Sequence, residues 1–180
     1  MKNHYITLLM VLLGILPFGA GCQTKTENAG KWMKFEEAVK LNETNPEKAK
    51  KIFVDVYTDW CGWCKKMDAN TFSQPEIWNY MSQKFHMVKL DAEMKEEVTV
   101  GGHTFKSQDP ANKRSSHELA IALLNGQMSY PTVVFLDEKM NMITPVPGYQ
   151  EPAGFRVIMH FIGDDAYKNK SFEEFKKTFQ

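Results

Sequence analysis

The sequence predicts a single α/β domain, and three observations carry that expectation. Short apolar, β-branched runs of strand length alternate with stretches whose apolar residues recur at helical spacing. The chain has 180 residues, which predicts roughly one domain with a real core. It is 43% hydrophobic and 12% aromatic, with no internal repeat or low-complexity tract, so its composition argues against disorder. The charge balance excludes another class: 22 basic and 22 acidic side chains cancel, leaving no electrostatic reason to expect a nucleic-acid partner. Three cysteines are too few for a small disulfide scaffold but enough for one redox pair and one cysteine with another job.

The elements follow in order. Residues 1–22 read as a signal peptide: Lys2 and His4 precede an apolar run from Ile6 to Phe18, and Gly19, Ala20 and Gly21 lead into Cys22. The apolar run is shorter than the roughly 20 residues a membrane span needs. Residues 23–30 are polar and small, a flexible tether, and residues 31–180 form the folded domain. Trp32, Phe35, Ala38 and Val39 predict an amphipathic helix ending before Asn45-Pro46. Lys51–Tyr57 (KIFVDVY) predicts a buried strand. Cys61 to Asn70 has helix-friendly composition, and Ser73-Gln74-Pro75-Glu76 reads as a cap with Pro in the first turn of the next helix. Phe85–Leu90 is a second strand, and Val98–Phe105 a hairpin turning at Gly101-Gly102. Ser115 or Ser116 is the expected cap of a helix running through Leu119 and Leu123 to Asn125-Gly126. Thr132–Leu136 and Met140–Val146 are further strands. Phe155–Ile162 is a helix, and Phe172, Phe175 and Phe179 give a terminal helix an aromatic face.

The chemistry is expected at Trp60-Cys61-Gly62-Trp63-Cys64-Lys65. Two cysteines separated by two residues at a strand-to-helix junction can close a small disulfide. The first lies at the helix N-terminus, where unpaired backbone N–H groups and the partial positive charge favour an anion. A fall in thiol pKa from ~8.5 to ~7 corresponds to roughly 2 kcal/mol of thiolate stabilisation. Cys61 is therefore the expected nucleophile and Cys64 the resolving thiol. A stable disulfide without chemistry is the plainer reading. A zinc site lacks a second cysteine pair, and His86, His103, His117 and His160 are scattered without ligand spacing. No metal and no cofactor other than the Cys61–Cys64 pair is expected.

From Lys31 onward the chain resembles the thioredoxin superfamily. The resemblance rests on the run Val54–Lys65, which matches the strand, tryptophan and CxxCK of that family. It also rests on Tyr130-Pro131-Thr132, matching its cis-proline loop, and on Gly148, where the family has a glycine after its last strand. The stretch Asn70–Ile77 is similar to the periplasmic electron-transfer domains of membrane thiol transporters and to exported thioredoxin-like lipoproteins. The resemblance implies a three-layer fold with a central mixed sheet of four to five strands, and makes residues 96–114 an insertion with a β-hairpin. It implies that Asp55 is a buried acid taking the proton from Cys64, with Lys89 as its partner; the alternatives are an outward-turned Asp55 and a solvated Lys89. It implies a cis bond before Pro131, beside which an extended substrate segment pairs.

Two departures bear on specificity: Trp63 and Tyr130 replace a proline and a smaller residue of thioredoxin itself. Trp60, Gly62, Trp63, Tyr130 and Pro131 are the candidate substrate-binding residues, although Trp60 has packing in the core as its alternative. The insertion either borders the substrate groove or is decorative. Cys22 after Ala20-Gly21 resembles the acylation site of bacterial lipoproteins, with ordinary cleavage as the alternative. The functional expectation is a thiol–disulfide oxidoreductase of the bacterial envelope that reduces disulfides of client proteins, supplied with electrons by a membrane thiol transporter. Rival readings are an oxidase or isomerase, a non-catalytic peptide-binding module, and a metal-handling protein. Direction is not legible from Gly62-Trp63, because CxxC proteins span about 150 mV.

Overall fold

The computed structural model describes residues 31–179, so the expected signal peptide, Cys22 and the expected tether lie outside the described residues. The framework grows from β1 (Lys51–Tyr57), whose residues are buried on both faces until the last. Such continuous apolarity belongs to a strand covered on both sides. Helices α2 (Gly62–Met67) and α3 (Pro75–Lys84), joined by a π-turn over Asp68–Phe72, carry the chain across to β2 (Phe85–Asp91). β2 pairs parallel to β1 with Asp55 opposite Lys89. β5 (Thr132–Leu136) pairs antiparallel on the other side, and β6 (Met142–Pro147) follows it, giving a four-stranded mixed sheet in the order β2-β1-β5-β6.

Alternation along β1 divides the core. Ile52, Val54 and Val56 join an aliphatic cluster with α1 (Phe35–Thr44) and α4 (Glu118–Leu123). Phe53 joins an aromatic and methionine-rich cluster with Met67, Phe72, Ile77 and Met81 of the α2–α3 region. Phe155, Met159 and Ile162 of α5 (Pro152–Gly163) complete that side. The terminal helix α6 (Phe172–Thr178) docks through Phe172 and Phe175, whose rings lie 5.3 and 5.4 Å from Phe161.

The hairpin of β3 (Val98–Val100) and β4 (His103–Phe105) pairs Val100 with His103. Its two turn residues, Gly101 (φ 59°) and Gly102 (φ 77°), both have positive φ, as a type I′ turn demands. Val98, Val100 and Phe105 pack on the aliphatic cluster, so the hairpin is seated on the domain.

Three local expectations are corrected. Trp32 precedes α1 and turns to the opposite face, its ring 5.7 Å from Phe72 and 5.6 Å from Trp78. Its neighbour Met33 bridges Val88 at the outer edge of β2, which fixes Trp32 on the aromatic side. Neither Ser115 nor Ser116 caps α4: the cap is His117, whose Nδ1 accepts the N–H of Leu119 at 3.2 Å. Ser115 is occupied elsewhere, its Oγ accepting the N–H of Asp109 at 2.7 Å. The N-cap of α3 is Gln74 rather than Ser73, and without a side-chain bond, Pro75 starting the helix as expected.

Candidate active site

The C-terminal end of β1 and the N-terminal end of β5 meet because the two strands are antiparallel, with Val56 opposite Thr132. Beyond β1, the N–H of Cys61 closes a turn onto the carbonyl of Thr58 at 3.0 Å. Cys61 is the N-cap of α2 and Cys64 lies one turn on. The N–H of Cys64 donates to Cys61 Sγ at 3.0 Å, and the two sulfurs are bonded with the Cα atoms 5.3 Å apart. Both are buried, at 5% and 3% exposure. The sulfur of residue 61 thus receives a backbone donor at a helix start, the arrangement that stabilises a thiolate. Gly62 opens α2 with clear space where a Cβ would project.

Asp55 shares the sheet face of Phe53, the side covered by α2. It is 1% exposed, and burial raises its carboxyl from 3.8 to about 6 against the opposing pull of Lys89. Lys89 Nζ lies 2.7 Å from Asp55 Oδ2, while Asp55 Oδ1 has no hydrogen-bond partner among the described residues. Lys89 is not Asp55's alone: it also contacts Asp68 Oδ1 and Oδ2 at 2.6 and 2.7 Å, in the π-turn after α2. The two carboxylates raise the Lys89 ammonium above its ordinary pKa despite burial. Its Nζ also lies 4.8 Å from the ring centre of Tyr57 and 5.1 Å from that of Trp32. Lys89 is therefore held from several sides rather than solvated.

The rim is aromatic. Trp60 is 54% exposed and Trp63 56%, so Trp60 is not core. The Trp60 ring meets Tyr130 edge-on at 6.0 Å, and its Nε1 donates to Glu93 Oε1 at 3.0 Å. Trp63 packs against Tyr149 with the ring centres 5.3 Å apart and the planes tilted by 46°, and Lys66 Nζ lies 4.6 Å from the Trp63 ring centre. Burial, with Glu93 and Asp91 nearby, pushes the Tyr130 phenol up to about 12. The Tyr130–Pro131 bond is cis, and the Pro131 carbonyl accepts the N–H of Gly148, a residue at φ 85°. Neither backbone polar group of Tyr130 has a partner among the described residues.

Among the described residues no group of three or more His, Cys, Asp or Glu is placed to hold a metal. His117 caps α4, His160 pairs with Asp164 at 2.9 Å, and His103 packs against Phe105. Sequence reasoning missed Asp68, Glu93, Lys66 and Tyr149. Glu93 and Tyr149 meet residues distant in the chain, whereas Asp68, one turn beyond Cys64, and Lys66, three residues after Trp63 on α2, had local signals.

The comparisons with known proteins agree with this geometry. The family model of the thioredoxin-like domain matches residues 38–163. The thiol:disulfide interchange protein DsbD of Cronobacter sakazakii is 25% identical over 115 residues, 63% of this chain and 17% of that protein. The chain therefore spans less than a fifth of the length of that relative. Among solved structures, a thioredoxin-fold protein from Helicobacter pylori superposes with a TM-score of 0.54 at 20% identity, covering 72% of this chain and 79% of the other. A thioredoxin from Thermus thermophilus gives 0.53 at 17% identity, covering 74% and 87%. These two likenesses show the fold.

Proposed function

The chain belongs to the thioredoxin-like family of thiol–disulfide oxidoreductases, and from that membership we propose that it reduces disulfides of client proteins in the bacterial cell envelope through Cys61 and Cys64. The observation that carries the reading is the bonded Cys61–Cys64 pair at the start of α2 with an unsatisfied buried carboxyl on the face beneath it. In the forward cycle the Cys61 thiolate attacks a client disulfide. One client sulfur leaves as thiolate and a mixed disulfide forms. Cys64 gives up its proton, attacks the Cys61 sulfur and releases the second client thiolate. Two electrons have then passed to the client and the protein is left as the disulfide.

Asp55 suits the proton's destination. A carboxyl poised near 6 accepts a proton at neutral pH far better than an exposed one, and its Oδ1 has no partner among the described residues. Lys89 holds the other oxygen and limits how far burial raises the acid. The unpaired peptide groups of Tyr130 beside Pro131 suit an extended client segment added as a strand, between the aromatic walls of Trp60 and Trp63, with Gly62 leaving the approach to the sulfurs open.

The proposed direction rests on kinship with thiol:disulfide interchange proteins and on the retained Asp55. In an oxidising envelope a reductant must be recharged from within, so a membrane thiol transporter is the proposed electron donor. The domain boundaries at residues 22, 30 and 31, the insertion 96–114 and the lipid anchor at Cys22 belong to the same proposal. No helix among the described residues is long and apolar enough to cross a membrane. Acid quenching of living cells followed by thiol alkylation tests the direction: a mostly reduced Cys61–Cys64 pair is expected, and a mostly oxidised pair overturns the assignment as reductant.

A further inference from the structure

The insertion ends on the active-site rim. Lys95, just before it, reaches into its loop: Nζ lies 2.7 Å from the carbonyl of Asn112, 3.2 Å from Ser107 Oγ and 3.4 Å from the carbonyl of Ser115. Asn112 Oδ1 accepts the N–H of Arg114 at 3.0 Å, and Ser107 bridges His117. With β3 and β4 seated on the aliphatic core, this loop is tied at both ends and in the middle. It delivers Arg114 to Trp60, the guanidinium carbon 5.6 Å from the ring centre. Arg114 is exposed, and its side chain has no ion-pair or hydrogen-bond partner among the described residues.

The opposite flank repeats the pattern. Lys66 sits over Trp63 and 5.1 Å from the ring centre of Tyr149, also with no ion pair among the described residues. Each exposed tryptophan beside the disulfide therefore carries a cation whose donors are unspent. The nearby acids set a boundary: Glu93 accepts the Trp60 indole at its edge, Asp91 Oδ1 accepts the N–H of Glu93, and Asp59, exposed beside Trp60, has no ion-pair or hydrogen-bond partner among the described residues. They exclude a carboxylate from that edge and leave the ring face under Arg114 as its place. A planar guanidinium laid on an aromatic ring is pre-organised for bidentate capture of a carboxylate.

We propose that Arg114 is a specificity residue that selects client segments carrying an aspartate or glutamate close to the reacting cysteine, with Lys66 reading the other side. This deepens the proposed function and rests on it: the insertion chooses the client, while Cys61 and Cys64 perform the exchange.

The test uses the reduced protein and three synthetic peptide disulfides with amidated C-termini, differing only in Asp, Asn or Lys two residues from the cysteine. Peptide thiol release is followed at low and high salt. The unaltered protein should reduce the Asp peptide about fivefold faster than the Lys peptide at low salt, the scale of one exposed charge contact, and the ratio should shrink at high salt. Arg114→Ala should bring the ratio near one and Arg114→Glu should invert it, while Arg114→Lys should retain part of it. Equal rates for all three peptides with the unaltered protein, or a ratio that survives Arg114→Glu, would overturn the proposal. Release of thiol from bis(2-hydroxyethyl) disulfide separates the two claims: if the reduced protein cannot turn over even that small disulfide, the redox assignment itself has failed.

Discussion

Among the described residues, His117 on one face of the sheet and Asp55 on the other are titratable side chains at 0% and 1% exposure, and the two are treated in opposite ways. On the aliphatic side His117 has both ring nitrogens engaged: Nδ1 accepts the N–H of Leu119, so Nε2 carries the proton and donates to the carbonyl of Glu96 at 3.0 Å. Burial lowers its pKa and keeps the ring neutral. On the aromatic side Asp55 has one oxygen against Lys89 and one without a partner among the described residues, and burial raises its pKa. A buried polar group with every site filled is part of the framework. One left partly unfilled lowers stability and is available for chemistry.

The comparison is broken most severely by removing the cation. Lys89→Met leaves Asp55 beside no countercharge, and the domain should lose about 3 kcal/mol at pH 8, the low end for breaking a buried pair because Lys89 keeps some exposure. The loss should be much smaller at pH 4, where Asp55 is protonated. Urea unfolding at the two pH values measures it. Equal losses would show that Lys89 acts by packing alone.

Asp55→Asn should act in the opposite direction. The folded pKa of about 6 lies above the unfolded value near 3.8, so ionisation of Asp55 costs stability once pH rises through that window. The substitution should therefore raise stability at pH 8 by up to about 3 kcal/mol, the free-energy equivalent of a rise from 3.8 to about 6, and by little below pH 4. It should also slow release of the client from the mixed disulfide. A stabilised variant with undiminished release would keep the electrostatics and remove Asp55 from the proton path.

The smallest effect is expected at His117. Its folded pKa lies below the unfolded value, so its contribution is present above about pH 6.5 and lost as pH falls through the folded value. His117→Ala should cost about 1–2 kcal/mol at pH 8, the cap plus a carbonyl left unpaired, and less at pH 5. Thermal unfolding across that range would show the two faces responding to pH with opposite slopes, Asp55 favouring acid and His117 favouring base.

Much of this was legible from residue order. KIFVDVY is a strand over the same residues in the structure because its continuous apolarity admits few other fates, and Gly101-Gly102 makes a hairpin turn because two successive positive φ angles need glycine. Cys61, Cys64 and Pro131 are local signatures that the fold brings to one end of the sheet. Trp32 was misplaced because helical spacing to Phe35 is shared by a tryptophan that precedes the helix and turns to the other face. The α4 cap was misplaced because serines are the usual caps, whereas here Ser115 binds Asp109 and the imidazole takes over. The contacts of Asp68 with Lys89, Glu93 with Trp60 and Arg114 with Trp60 join residues far apart in the chain, and no periodicity encodes them.

The account stands on Cys61 being the sulfur that meets the client. Mixing reduced Cys64→Ser protein with a disulfide-bonded protein client and mapping the product by mass spectrometry tests it directly. A stable adduct linked through Cys61, absent when Cys61→Ser replaces it, is the predicted result. No adduct, with the reduced thiol of residue 61 unreactive at pH 8, would contradict it.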